Sequence, residues 1–174
     1  MRILMVGLAL LVATNANPLF AKGGRRDRGK KPAAAAADPN AVVAKAHGGK
    51  VWIITGSVPS TEGEDLSKWL SSHPRAAEVT KKPTEERWPV NILAVFKKPP
   101  ARGPITLQFV DKKEPGVLVG EDSSQTPGGP LVFQEPYDLD ANIGFNKGHT
   151  YIVKVGQLIK KRFITYATGE VTLK

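Results

Sequence analysis

From residue 50 to the end of the chain, short apolar runs alternate with polar positions and are cut at close intervals by Gly and Pro. That is the pattern of strands, not of long helices. Residues 50–56 (KVWIITG) predict a first strand. Residues 89–96 (PVNILAVF) are apolar on both parities, with Val90, Ile92, Ala94 and Phe96 on one side and Leu93 and Val95 on the other, which predicts a central strand covered on both faces. Residues 104–110 alternate, with Ile105, Leu107 and Phe109 inward and Thr106 and Gln108 outward; shorter pieces follow at 117–120 and 131–134. Residues 149–158 and 162–173, joined at Lys160-Lys161, predict a long antiparallel hairpin that buries Tyr151, Val153, Val155, Val171 and Leu173 together.

One segment follows the helical period instead. Leu66, Trp69 and Leu70 form a single stripe, Thr61 and Glu64 fit a capping box, and Pro74 stops the run. Glu62, Glu64 and Asp65 then complement the helix dipole, which explains these acids without a catalytic role. About seven strands, no strand–helix–strand alternation and a closing hairpin predict an all-β fold. The expected form is a two-sheet antiparallel sandwich with one short inserted helix.

The first 21 residues follow a different logic. Met1-Arg2 precede an uncharged apolar run from Ile3 to Ala13, and small and polar residues follow. This is the order of a secretory signal peptide, with cleavage expected after Ala21 or, less favoured, after Ala16. The run is well short of the roughly 20 residues a spanning helix needs, so no transmembrane anchor is expected after processing. The expected location is the periplasm or outside the cell.

Residues 22–46 read as a basic, Ala- and Pro-rich disordered linker, leaving 47–174 as the folded domain. The chain's formal charge is +9, and it is unevenly placed. Lys22, Arg25, Arg26, Arg28, Lys30 and Lys31 stand against Asp27 alone, whereas everything from Pro32 onward carries 18 basic and 15 acidic residues. The six basic residues of this arm are candidate contacts for an anionic polymer. No aromatic side chain interleaves them, so no specific nucleic-acid reading follows. Further basic clusters fall at predicted turns, at 97–102, 112–113 and 160–162, and would form a positive rim if the first and last shared one end of the domain. Otherwise they are turn lysines that guard strand edges.

Residues 144–153 (GFNKGHTYIV) resemble the penultimate strand of immunoglobulin-like and fibronectin type III-like modules, in which a glycine turn precedes a strand carrying a Tyr. The resemblance covers about thirty C-terminal residues and implies a β-sandwich. It departs from those modules in having no Cys pair and a helix between the first two strands.

Candidate chemistry is sparse. The chain has no cysteine, which removes disulfides, thiolate nucleophiles and Cys-based zinc sites. His47, His73 and His149 lack ligand spacing with one another and read as solvent-exposed. Asp138, Asp140 and Asn142 open like a calcium loop, but Ile143 and His149 stand where an EF-hand needs Gly and Glu. Trp69 falls on the helix stripe and Trp52 on a strand face, leaving Trp88 as the tryptophan expected to be partly exposed. No catalytic, cofactor or metal residue is assigned and no cofactor is implied. The expectation is an exported, non-enzymatic binding or accessory module of the cell envelope, its partner an envelope protein or an anionic polymer. The alternatives are a structural subunit docking by strand addition or sheet packing, and a small hydrolase with a cryptic site.

Overall fold

The computed structural model describes residues 38–127 and 129–174. The expected signal peptide, the basic arm and most of the linker lie outside the described residues. The described chain runs α1 (Ala41–His47), β1 (Lys50–Ile54), α2 (Gly63–Ser72), β2 (Ala76–Val79), β3 (Arg87–Val95), β4 (Pro104–Asp111), β5 (Leu118–Pro127), β6 (Val132–Asp140), a 3-10 turn (Ala141–Ile143), β7 (Thr150–Ile159) and β8 (Arg162–Leu173). The fold is mostly β.

The strands belong to one continuous sheet and not to two separately hydrogen-bonded ones. Its order is β5-β4-β7-β8-β1-β3-β6, with β2 also on β8. The reason is the length of β8. Its whole length pairs antiparallel with β7, while on its other side it runs parallel to β1 at Thr168 and to β2 from Glu170 to Leu173. The expected purely antiparallel sandwich is thus replaced by a sheet with two parallel junctions that curls into a nearly closed barrel. At the β1–β8 junction the backbones approach so closely that a Cβ on Gly169 would stand 2.6 Å from the Val51 carbonyl oxygen. Only glycine fits there.

The curl is visible in the packing. Phe109 on β4 stacks on Tyr137 of β6 with ring centroids 5.0 Å apart, although these strands lie near opposite ends of the strand order. The Tyr137 phenol is raised above its ordinary pKa by burial and then by the charge of Asp122 on β5. β5 and β6, the two ends of the strand order, therefore face each other across a seam closed by side chains, while β2, paired with β8 alone, keeps an edge of its own. Inside the barrel sits one apolar core that includes Val51, Ile53, Ile92, Leu107, Phe109, Phe133, Val153 and Val171.

The predicted double coverage of β3 is present. Val90, Ile92, Ala94 and Phe96 face the barrel interior, while Leu93 and Val95 join Trp52 and Ile54 beneath the helices. Val43 of α1, fully buried, packs into this second cluster with Leu66 and Leu70 of α2. That contact orders residues 41–46, which the sequence reading assigned to the linker. The helix itself begins one step later than the capping box implies: Glu62 is its N-cap and makes no side-chain capping bond. The closing hairpin matches its expectation, and Tyr151, Val153, Val155, Val171 and Leu173 are all buried in the barrel core.

Candidate functional site

The topology sorts the loops onto two ends of the barrel. The register pairs Lys50 with Val95, Val95 with Val132, Pro104 with Pro127 and Thr106 with Gly156. The β3–β4 loop, the β5–β6 loop and the β7–β8 turn therefore share one end. This end carries Lys97, Lys98 and Arg102 on the β3–β4 loop and Lys160, Lys161 and Arg162 at the hairpin, all exposed. The positive rim that the sequence left conditional is thus brought together.

The loops themselves supply no acid. The stretches 87–110, 123–134 and 141–169, from which these loops are built, contain neither Asp nor Glu. Among the described residues, none of the six cations makes an ion pair. Their charges reach solvent undiminished by a partner.

A buried glutamine organises this end. Gln157, 3% exposed, donates through Nε2 to the carbonyls of Ala101 at 2.8 Å and Gly103 at 3.2 Å, and accepts from the Tyr166 hydroxyl at 3.1 Å. The bonds tie the base of the hairpin to the cationic β3–β4 loop. Tyr166 in turn meets Phe96 edge-on, plugging the barrel. Between loop and hairpin lies an open groove of about 630 Å³ whose walls include Lys97, Lys98, Pro99, Tyr166 and Thr168. Gln157 was invisible to pattern reading because it follows a bulge at Val155/Gly156 that breaks the strand's alternation.

Beyond Gln157 the hairpin stands clear of the barrel. Leu158, Ile159 and Ile164 are 57%, 40% and 42% exposed. Lys160 and Lys161 form the two-residue turn with φ of 49° and 65°, a left-handed pair that normally selects Asn and Gly.

The opposite end is charged too, and there three cations are matched to acids. Arg87 meets Asp140 at 2.9 Å and Asp138 at 3.7 Å, Lys112 meets Glu170 at 3.0 Å, and Lys82 meets Glu85 at 2.9 Å. Asp140 also accepts from the Asn142 amide, and the Asn142 side chain donates to Glu86 and Asp140. The Asp138–Asp140–Asn142 pattern is therefore a strand end held by Arg87. Among the described residues no group of three or more His, Cys, Asp or Glu is placed to hold a metal ion.

Two of the three histidines, His47 and His149, are less exposed than expected. His47, 7% exposed, lies edge-on to Trp52, and its Nε2 is 3.0 Å from the Ser67 carbonyl oxygen and 3.1 Å from the Ser67 hydroxyl. His73 stacks on Trp69 and is exposed. His149 Nδ1 lies 2.5 Å from Asp111 Oδ2. Burial pushes the Asp111 carboxyl up, but the His149 bond, the Lys113 amide and the charges of both residues together hold it below the ordinary carboxylate value. This pair looks like two members of a triad, yet among the described residues no hydroxyl nucleophile bonds the His149 ring. Trp88 is the other correction: it is 1% exposed, and its indole donates to the Lys174 carbonyl at 3.2 Å. Its ring lies in the barrel core, so the side chain that strand-entry position alone suggested would be open is enclosed.

No protein-family model matches the sequence, and the search of curated proteins finds no relative.

Proposed function

We propose that the chain is an exported, non-enzymatic binding module of the cell envelope, held against anionic polymers or surfaces by the cationic end of its barrel. The observation that carries this reading is six exposed, unpaired cations gathered on one end by loops that contain no acid. Such an array acts through released counterions and long-range attraction, and needs no enclosed pocket. The arm at Lys22, Arg25, Arg26, Arg28, Lys30 and Lys31 is a separate candidate contact for the same class of polymer. The immunoglobulin-like resemblance extends this reading only locally. The Tyr151 hydroxyl accepts from the Asn146 amide five residues upstream, a tether of the kind found at the tyrosine corner of those sandwiches.

Strand addition is the weaker alternative. It needs an accessible edge, and the ends of the strand order, β5 and β6, are turned toward each other, which leaves only the four-residue β2 edge among the described strands. Retention of the full chain on immobilised heparin, compared with a chain lacking residues 22–31, tests the proposal. Binding that survives the deletion supports the barrel end. Binding that vanishes with the arm assigns the contact to the arm alone and overturns this reading of the domain.

A further inference from the structure

Charge alone does not explain the projecting hairpin. Its register pairs Leu158 with Phe163 and, on the other face, Gln157 with Ile164 and Ile159 with Arg162. Beyond Gln157 both faces of the two-stranded ribbon thus carry apolar side chains, with three cations at the turn. A flat protein partner would cover one face and leave the other in water. A lipid interface surrounds the ribbon and satisfies both.

We propose that the β7–β8 hairpin is a peripheral anchor for an anionic phospholipid bilayer, a proposal that rests on the cationic-end reading above. Leu158, Ile159 and Ile164 reach the outermost methylenes, while Lys160, Lys161 and Arg162 bind lipid phosphates. Three charges at the tip exclude deep insertion. The depth that suits both kinds of side chain is the headgroup boundary, where long basic side chains extend toward phosphate along their apolar stems. Lys97, Lys98 and Arg102 lie on the same end and meet the same surface.

The turn is the second, independent observation. Lys160 and Lys161 both hold a left-handed backbone that disfavours residues with a Cβ. Asn-Gly would relieve that strain, so two lysines here give up stability and place charge at the foremost point of the molecule.

The test uses the full chain with phosphatidylcholine vesicles, with or without phosphatidylglycerol, and in parallel with immobilised heparin. The double variant K160N/K161G keeps the turn and should raise the unfolding temperature. It should weaken binding to the anionic vesicles by about ten- to thirtyfold. Leu158→Ser combined with Ile164→Thr removes no charge; it should weaken vesicle binding about tenfold and leave heparin retention unchanged. Leu158→Trp should show blue-shifted emission with anionic vesicles only. Vesicle binding unchanged in both double variants, an unmoved Trp emission, or equal losses on vesicles and heparin for the apolar variant would each overturn the anchor. A wild-type chain retained by heparin but not by vesicles refutes the anchor and leaves the cationic-end reading standing. A chain retained by neither refutes that reading itself.

Discussion

The two ends of the barrel hold similar kinds of residues and use them in opposite ways. At one end Arg87, Lys82 and Lys112 are matched to Asp138, Asp140, Glu85 and Glu170, and Trp88 and Phe145 seal the core. At the other, six cations stand without partners and Leu158, Ile159 and Ile164 remain in solvent. Exposed apolar side chains occur at both ends, Val117, Leu118 and Ile143 at the first. Folding does not explain what is particular to the second, where the cations lack partners and a strained turn contributes nothing to the folded state. The difference marks where the molecule is built to hold itself together and where it is built to meet something else.

The largest effect expected from this contrast is on stability. Trp88→Ala should destabilise the domain by about 3–5 kcal/mol through lost burial and a cavity. Leu158→Ala at the other end should stay within about 0.5 kcal/mol. Chemical denaturation of both variants checks the pair, and comparable losses would erase the distinction between the ends. Val153→Ala, in the wall of the barrel, should fall between them at about 1–3 kcal/mol.

A smaller effect separates the ends by pH. The Asp111 carboxyl is held below its unfolded value, so the stability it contributes is present above the ordinary carboxylate pKa and is lost as pH falls through the lower, folded one. Asp111→Asn should flatten that part of the acid limb of an unfolding-temperature profile, whereas substitutions at Lys97 or Lys160 should leave its shape unchanged. An acid limb unaltered by Asp111→Asn would remove the pair from the account. The smallest effect is a gain: K160N/K161G should stabilise by about 1 kcal/mol, because it places residues suited to positive φ in the hairpin turn. A loss of stability would mean that the lysines support the fold.

The sequence made some of this legible and hid the rest for physical reasons. The two faces of β3 and the buried side of the closing hairpin follow from alternation, since Ile92, Leu93, Val153 and Val171 each belong to a clear parity. β2 escaped because Ala76–Val79 is short and pairs in parallel with a strand nearly a hundred residues away. β5 runs to Pro127 although its second half is polar, because an edge strand needs no apolar face on both sides. The single curled sheet was hidden for the same reason: it depends on β8 pairing on both flanks, a long-range choice that leaves no local pattern. The cationic residues could be named, but whether 97–102 and 160–162 meet is a question of register. Gln157, which ties them together, carries no signal beyond one polar side chain in an apolar run.

The central claim is that position, not net charge, governs the anionic contact. The direct measurement is heparin affinity across a salt series for two full-length variants that lose the same charge. One replaces Lys97, Lys98 and Arg102 by Gln at the unpaired end; the other replaces Lys82, Arg87 and Lys112 by Gln at the ion-paired end. The first should reduce the slope of log affinity against log salt by about two to three, roughly one per lost contact, while the second leaves it near the wild-type value. Equal slopes for the two variants would show that the chain responds to total charge alone, and would contradict the account.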